Sequence, residues 1–152
     1  MANLDFRKDL VLGNQGEVVI KGFLEAMGCV FIQFNNDNQY DLKMLKKGVE
    51  TTYEIKTDVL CKPISDTGNM FIEFKCRDKP SGIETSKAEW FVTYFKFLNQ
   101  AWFIKSDVLK VLINENDFRV IVNGGDVGSK THGYLINRDK FIDNFIVVDI
   151  YQ

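Results

Sequence analysis

The apolar positions of the chain switch between a helical and a strand period. Val18, Val19, Phe23, Leu24 and Met27 recur at helical spacing, which predicts a helix over 10–27 that stops at Gly28. Residues 29–34, 40–45 and 49–57 read as strands. The polar stretch Asn35-Asn36-Asp37-Asn38 separates the first two, and the tight Lys46-Lys47-Gly48 turn folds the last two into an antiparallel hairpin. Further strands are predicted over 70–76, 90–97, 101–104, 118–122, 133–136 and 146–150. A short helical segment is expected over 83–89, a helix over 108–114 capped by Ser106-Asp107, and another over 138–144 capped by Asn137. A glycine-rich loop over 124–133 holds the single histidine, His132. Helices interspersed with strands predict an α/β or α+β class, a central mixed sheet flanked by helices, and the 152 residues suit one domain.

The second strand of the hairpin carries the chemistry. Side chains alternate across a strand, so Glu50, Thr52, Glu54, Lys56 and Asp58 share one face. Val49, Tyr53 and Ile55 share the other, the more apolar and therefore the core face. Glu54 and Lys56 project side by side, about 7 Å apart along the backbone. Asp41 lies on the partner strand, and the turn folds it back toward Glu54, with the register left open by residue counts. Carboxylate oxygens are what Mg²⁺ or Mn²⁺ prefers, and a lysine beside them can face a phosphate or a water. Glu17, on the helix preceding the hairpin, offers a third acid. Thr85-Ser86-Lys87 offers hydroxyls, backbone N–H groups and an ammonium for phosphate oxygens. Alternating Glu and Lys is also what a plain solvated strand face looks like. Glu73-Phe74-Lys75 repeats the acid-x-lysine spacing on another strand, but only Glu54 is tied to Asp41 by a tight turn.

Composition narrows the class. Hydrophobic residues make up 45%, with 13 Phe, enough for a core without crosslinks. Cys29, Cys61 and Cys76 are widely spaced and form no CxxC pair, so reduced thiols are expected, and neither a disulfide framework nor a zinc site. The aromatic run Trp90, Phe91, Tyr94, Phe95, Phe97, Trp102, Phe103 reads as sheet core, and His132 as a surface residue. A net charge of −2 excludes nucleic-acid coating by bulk positive charge. Between Tyr40 and Trp90, however, nine Lys/Arg face nine Asp/Glu, and setting aside Asp41 and Glu54 as ligands leaves a positive local balance. The first residues lack an apolar export signal, and no stretch approaches the ~18 apolar residues of a membrane span, so a cytoplasmic protein with no membrane partner is expected.

In the order Glu17, Asp41, Glu54-Ile55-Lys56, then Thr85-Ser86-Lys87-Ala88-Glu89-Trp90, the chain resembles the PD-(D/E)xK nuclease superfamily. That superfamily includes restriction endonucleases, archaeal-type Holliday-junction resolvases and phage recombination nucleases. The resemblance spans 16–104 in motif order, with Tyr40 where the family has a proline. It implies a restriction-endonuclease-like core and a Mg²⁺- or Mn²⁺-dependent DNA endonuclease. Asp41 and Glu54 would then bind metal, with Glu17 as an outer acid, and Lys56 would orient water or stabilise the transition state. Ser86 and Lys87 would contact phosphate. It further implies a homodimer, since two sites cut two strands, and a junction-resolving or phage DNA-processing role. The alternatives are a restriction endonuclease or exonuclease of the same fold, and a non-catalytic DNA-binding module.

Overall fold

The computed structural model describes residues 15–35, 37, 39–122, 128 and 130–151. The architecture is mixed α/β, built on two sheets where the sequence predicts one. The helix α1 (Gln15–Ala26) leads into β1 (Val30–Phe34), β2 (Leu42–Lys46) and β3 (Val49–Asp58). Strands β4 (Asn69–Cys76) and β5 (Lys79–Pro80) and a 3₁₀ turn, Gly82–Glu84, come next. After β6 (Trp90–Phe95) and β7 (Gln100–Lys105) comes α2 (Ser106–Glu115). The chain continues through β8 (Arg119–Val122), β9 (Thr131–Asn137) and α3 (Arg138–Phe141). A second 3₁₀ turn, Ile142–Asn144, precedes β10 (Ile146–Asp149). The predicted helix start at 10–14 and residues 124–127 and 129 of the glycine-rich loop lie outside the described residues.

The larger sheet has six strands in the order β1-β2-β3-β6-β7-β10, and the smaller has four in the order β5-β4-β9-β8. Only the central β3–β6 pair is parallel; the other neighbours are antiparallel. A parallel pair is buried on both faces, and β3 obeys that rule: Tyr53, Glu54 and Ile55 are consecutive buried residues. On one face, Ile20 and Leu24 of α1 pack on Leu42, Met44, Tyr53, Ile55, Val92 and Phe103. On the other, Phe91, Phe95, Trp102 and Ile104 meet Met70, Ile72 and Ile136 of the smaller sheet and Leu109 and Leu112 of α2. Each such side chain contributes about 1.5–3 kcal/mol on burial.

Several local expectations shift for identifiable reasons. The β2–β3 turn places Lys47 at φ 50° and Gly48 at φ 79°, the left-handed pair of a type I′ hairpin, and Val49 beside it is exposed rather than core. No helix forms over 83–89 beyond the single 3₁₀ turn. The Lys87 N–H donates to the Gln39 carbonyl (2.7 Å) and the Glu89 N–H to Thr52 Oγ1 (3.1 Å), so a helix cannot use them. The Asn137 side chain caps α3 through the Lys140 N–H as expected, whereas the N-cap of α2 is Lys105, without a side-chain cap. His132 sits on β9 rather than in a loop, half-buried and 6.4 Å from the Phe74 ring. All three thiols are free. The aromatic run packs into the core except at Phe97, which is 42% exposed. Among the described residues no helix is long and apolar enough to cross a membrane.

One anchor ties the smaller sheet to the larger, and a second packs the Gly82 turn onto β4. Arg138 is buried; its guanidinium pairs with Asp66, donates to the Asn69 carbonyl (3.2 Å) and lies over the Phe95 ring. Gly82, at φ +55°, lies so close to β4 that a Cβ there would stand 2.1 Å from the Glu73 carbonyl oxygen. Backbone cannot give way cheaply, so Gly82→Ala is expected to lower unfolding stability by about 1–3 kcal/mol. Urea unfolding followed by far-UV circular dichroism measures this, and an unchanged midpoint would show that the contact is dispensable.

Candidate active site

The β2–β3 register, open in the sequence, is resolved by the pairing of Leu42 with Tyr53. The next position along places Asp41 opposite Glu54. There the backbone ladder is replaced: the Asp41 N–H still donates to the Tyr53 carbonyl (2.9 Å), but the Ile55 N–H donates to the Asp41 carboxylate Oδ2 (2.8 Å). The Asp41 carbonyl turns the other way and accepts from the Asn35 N–H (3.0 Å). Asp41 is therefore fixed at both backbone and side chain at the point where β2 leaves β3.

Glu54 is buried, with 8% of its surface exposed, on the sheet face turned toward Phe91 and the smaller sheet. The Lys56 ammonium stands 3.4 Å from its carboxylate. Burial pushes the Glu54 carboxyl up to about 7, reinforced by the Asp41 carboxyl beside it and opposed by Lys56 and the Ser86 hydroxyl. Asp41 is also raised: burial outweighs the Ile55 N–H, Lys56 and its hydrogen bond with Glu54. For Lys56, burial works against the charge, but Glu54, Glu73 and Asp41 together outweigh it and hold the ammonium above its ordinary value. The arrangement is two carboxyls in mutual contact sharing one cation. Such a pair favours a bound proton or an added cation over two bare charges.

The remaining predicted residues are distributed differently. Ser86 is buried; its hydroxyl donates to the Gln39 carbonyl (3.4 Å) and accepts from the Ala88 N–H (3.2 Å), and from nearby it favours the charged form of the Glu54 carboxyl. It ties Gln39 to the segment before β6 rather than facing solvent. The Lys87 side chain is exposed. Glu17 is buried on the sheet-facing side of α1, in line with Ile20 and Leu24. No three His, Cys, Asp or Glu side chains among the described residues converge as a metal-holding group, so Glu17 does not form one cluster with Asp41 and Glu54. Asp58 accepts from the Leu60 and Cys61 N–H groups (both 2.9 Å) and organises the turn after β3.

Two contributors lie outside the predicted site residues, one of them the Glu73 of the rival acid-x-lysine motif. Glu73 acts on Lys56 from the smaller sheet, held by a hydrogen bond from the Ser81 hydroxyl (2.7 Å). A bulge between Glu73 and Lys75 interrupts the alternation that made this stretch resemble a second acid-x-lysine motif. Thr93, opposite Lys56 on β6, buries a hydroxyl with no hydrogen-bond partner among the described residues. An unanswered buried hydroxyl has no signature in sequence.

An open cleft of about 400 Å³, bounded by Gln15, Gly16, Asp41, Ile55, Lys56 and Thr57, reaches Asp41 and Lys56, while Glu54 lies behind them and outside its lining. The cleft lies where the first turn of α1 meets the ends of β2 and β3. Comparison of the chain with protein-family models, with curated proteins and with solved structures returns no match.

The raised carboxyls make stability depend on pH. Glu54 moves from an ordinary 4.5 to about 7 on folding, so the folded state binds its proton more tightly than the unfolded chain. The stability this contributes is full below about 4.5 and is lost as pH rises through about 7. Its size is on the order of 3 kcal/mol. In metal-free buffer the thermal midpoint is expected to fall between pH 5 and pH 8, and Glu54→Gln to remove most of that fall. A flat wild-type profile would show that the carboxyl is not perturbed.

Proposed function

We propose that the protein is a Mg²⁺- or Mn²⁺-dependent DNA endonuclease of the PD-(D/E)xK type. The observation that carries this reading is the contact between the Asp41 and Glu54 carboxyls, with the Lys56 ammonium beside them on an open cleft. The donor set fits a hard divalent cation: two carboxyls, both raised toward neutrality, with one lysine to offset them. Asp41 and Glu54 would hold the ion, which when bound polarises phosphate oxygens and lowers the pKa of water.

The chain's own residues do the rest. The Ile55 N–H orients Asp41, and Lys56 orients Glu54. Lys56, held charged by three carboxylates, supplies fixed positive charge for the scissile phosphate. Lys87 is free to meet the backbone of the substrate, while Ser86 serves as a positioning group. Gln15 and Gly16, beside Glu17 in the chain, shape the helix side of the cleft. A homodimer would give one site to each strand of a duplex. Selectivity for junctions, a restriction-type or exonuclease activity, and a non-catalytic DNA-binding role are separated by the same assay.

That assay offers supercoiled plasmid, linear duplex, single strand and a four-way junction, with Mg²⁺, Mn²⁺ or EDTA. Cleavage is expected only with metal. Asp41→Asn, Glu54→Gln and Lys56→Ala should each reduce the rate by roughly 10²–10⁴. Cation binding must displace the Glu54 proton, so the wild-type rate should climb with pH through about 7. Saturating Mg²⁺ at pH 8 should raise the thermal midpoint of the wild type and not of Glu54→Gln. Metal-independent cleavage, or full activity in the Glu54 and Lys56 variants, would sink the mechanism.

A further inference from the structure

Beside the cleft, at the end of the sheet to which the parallel strands β3 and β6 both run, an aromatic ring is left in solvent. Phe97 is 42% exposed, whereas Phe91, Tyr94 and Phe95 of the same run are buried. Two ammonium groups flank it. Lys62, from the loop after β3, stands 5.4 Å from the ring centroid, and Lys96 stands 5.6 Å from it. The two segments are joined by backbone, since the Lys96 N–H donates to the Asp58 carbonyl (3.1 Å). They are also joined to the cleft: Lys96 Nζ donates to Gln15 Oε1 (3.1 Å), and Gln15 lines the cleft with Asp41 and Lys56. Ile64, two residues beyond Lys62, is 98% exposed.

From this juxtaposition we propose that Phe97, with Lys62 and Lys96, is a stacking platform for an unpaired nucleotide of a strand that continues into the cleft. The proposal rests on the nuclease reading for what happens in the cleft, but not for the binding itself. The chemistry favours single-stranded nucleic acid over other ligands. Every base has a π-face, and stacking on an exposed aromatic ring is indifferent to sequence. Flanking ammoniums on long, flexible stems can leave the ring for phosphates on either side as a base takes their place. A base within duplex has both faces covered by its neighbours, so a solitary ring gains nothing from it. Ile64 adds an exposed branched side chain of the kind that wedges open a base step. The ledge therefore selects a frayed end, a flap or a junction arm over continuous duplex.

The test is fluorescence anisotropy in EDTA, where nothing is cut, with a labelled single-stranded oligonucleotide and its duplex. Phe97→Leu keeps an apolar side chain and removes the π-face. It is expected to weaken single-strand binding roughly tenfold and duplex binding by less than about twofold, while Phe97→Trp binds at least as tightly as wild type. The double variant Lys62→Gln/Lys96→Gln should lower the salt slope of single-strand binding by about 1.4. Unchanged single-strand binding in Phe97→Leu would overturn the proposal, as would equal losses for both DNA forms or a wild type that binds neither. Metal-dependent cleavage alongside an indifferent Phe97 would remove the ledge and leave the nuclease reading intact. Phe97-dependent binding without cleavage in any metal would do the reverse.

Discussion

The N–H of Ile55 is answered by a side chain where a strand would be expected to answer it, and much of the site follows from that substitution. A buried backbone donor must be satisfied, and when β2 departs at Asp41 the carboxylate of that residue takes over the bond. The bond spares the strand an orphaned donor. It also aims one oxygen of Asp41 along β3, beside Glu54. Strand termination and site formation are therefore one event, produced by one residue. An asparagine at position 41 would preserve the acceptor and thus the strand ending, while removing the charge.

The second constraint is burial. β3 is covered on one side by α1 and on the other by the smaller sheet, so a charged residue at Glu54 is costly in a way that it would not be on a solvated hairpin. The molecule offsets this with Lys56 and the nearby Ser86 hydroxyl, and Glu73 joins from the second sheet to keep Lys56 charged. An acid, an acid and a base held together in a partly dry cleft make poor sense as a device for stability, because apolar residues of similar volume would pack there without penalty. They suit the proposed reading, in which a cation or an anionic phosphate would supply what the protein leaves incomplete.

Local chemistry was legible in the chain. The Lys47-Gly48 turn, the hairpin it makes, the cap at Asn137 and the pairing of Glu54 with Lys56 all depend on residues close in sequence. What escaped notice depends on long-range packing. Glu50 and Val49 were read through a strict two-sided alternation, but the start of β3 is solvated and its middle is buried on both faces. The segment 83–89 has helical composition, yet Gln39 and Thr52 claim its N–H groups. The second sheet depends on a bulge in β4 and on Gly133, whose missing side chain leaves room for the Phe71 ring. Phe97 is indistinguishable in sequence from the six other rings of its run, because its exposure is decided by where the strand ends.

The one parallel pair in the larger sheet has a consequence for how the molecule comes into being. Between the end of β3 and the start of β6 the chain leaves to build β4, β5 and the Gly82 turn, part of another sheet, before returning. The hairpin that holds Asp41 and Glu54 closes locally and early, but its inner edge has no partner until that excursion is complete. During that interval a half-made sheet presents an apolar strand edge to whatever is near. On a ribosome, where residues arrive in order, the two carboxyls would meet while Ser86 and β6 are still unsynthesised or unplaced. The chemistry of the site is thus assembled in stages, its charges first and its shelter last, and crowding or slow synthesis over 59–89 would prolong the stage at which the chain is most open to association with itself.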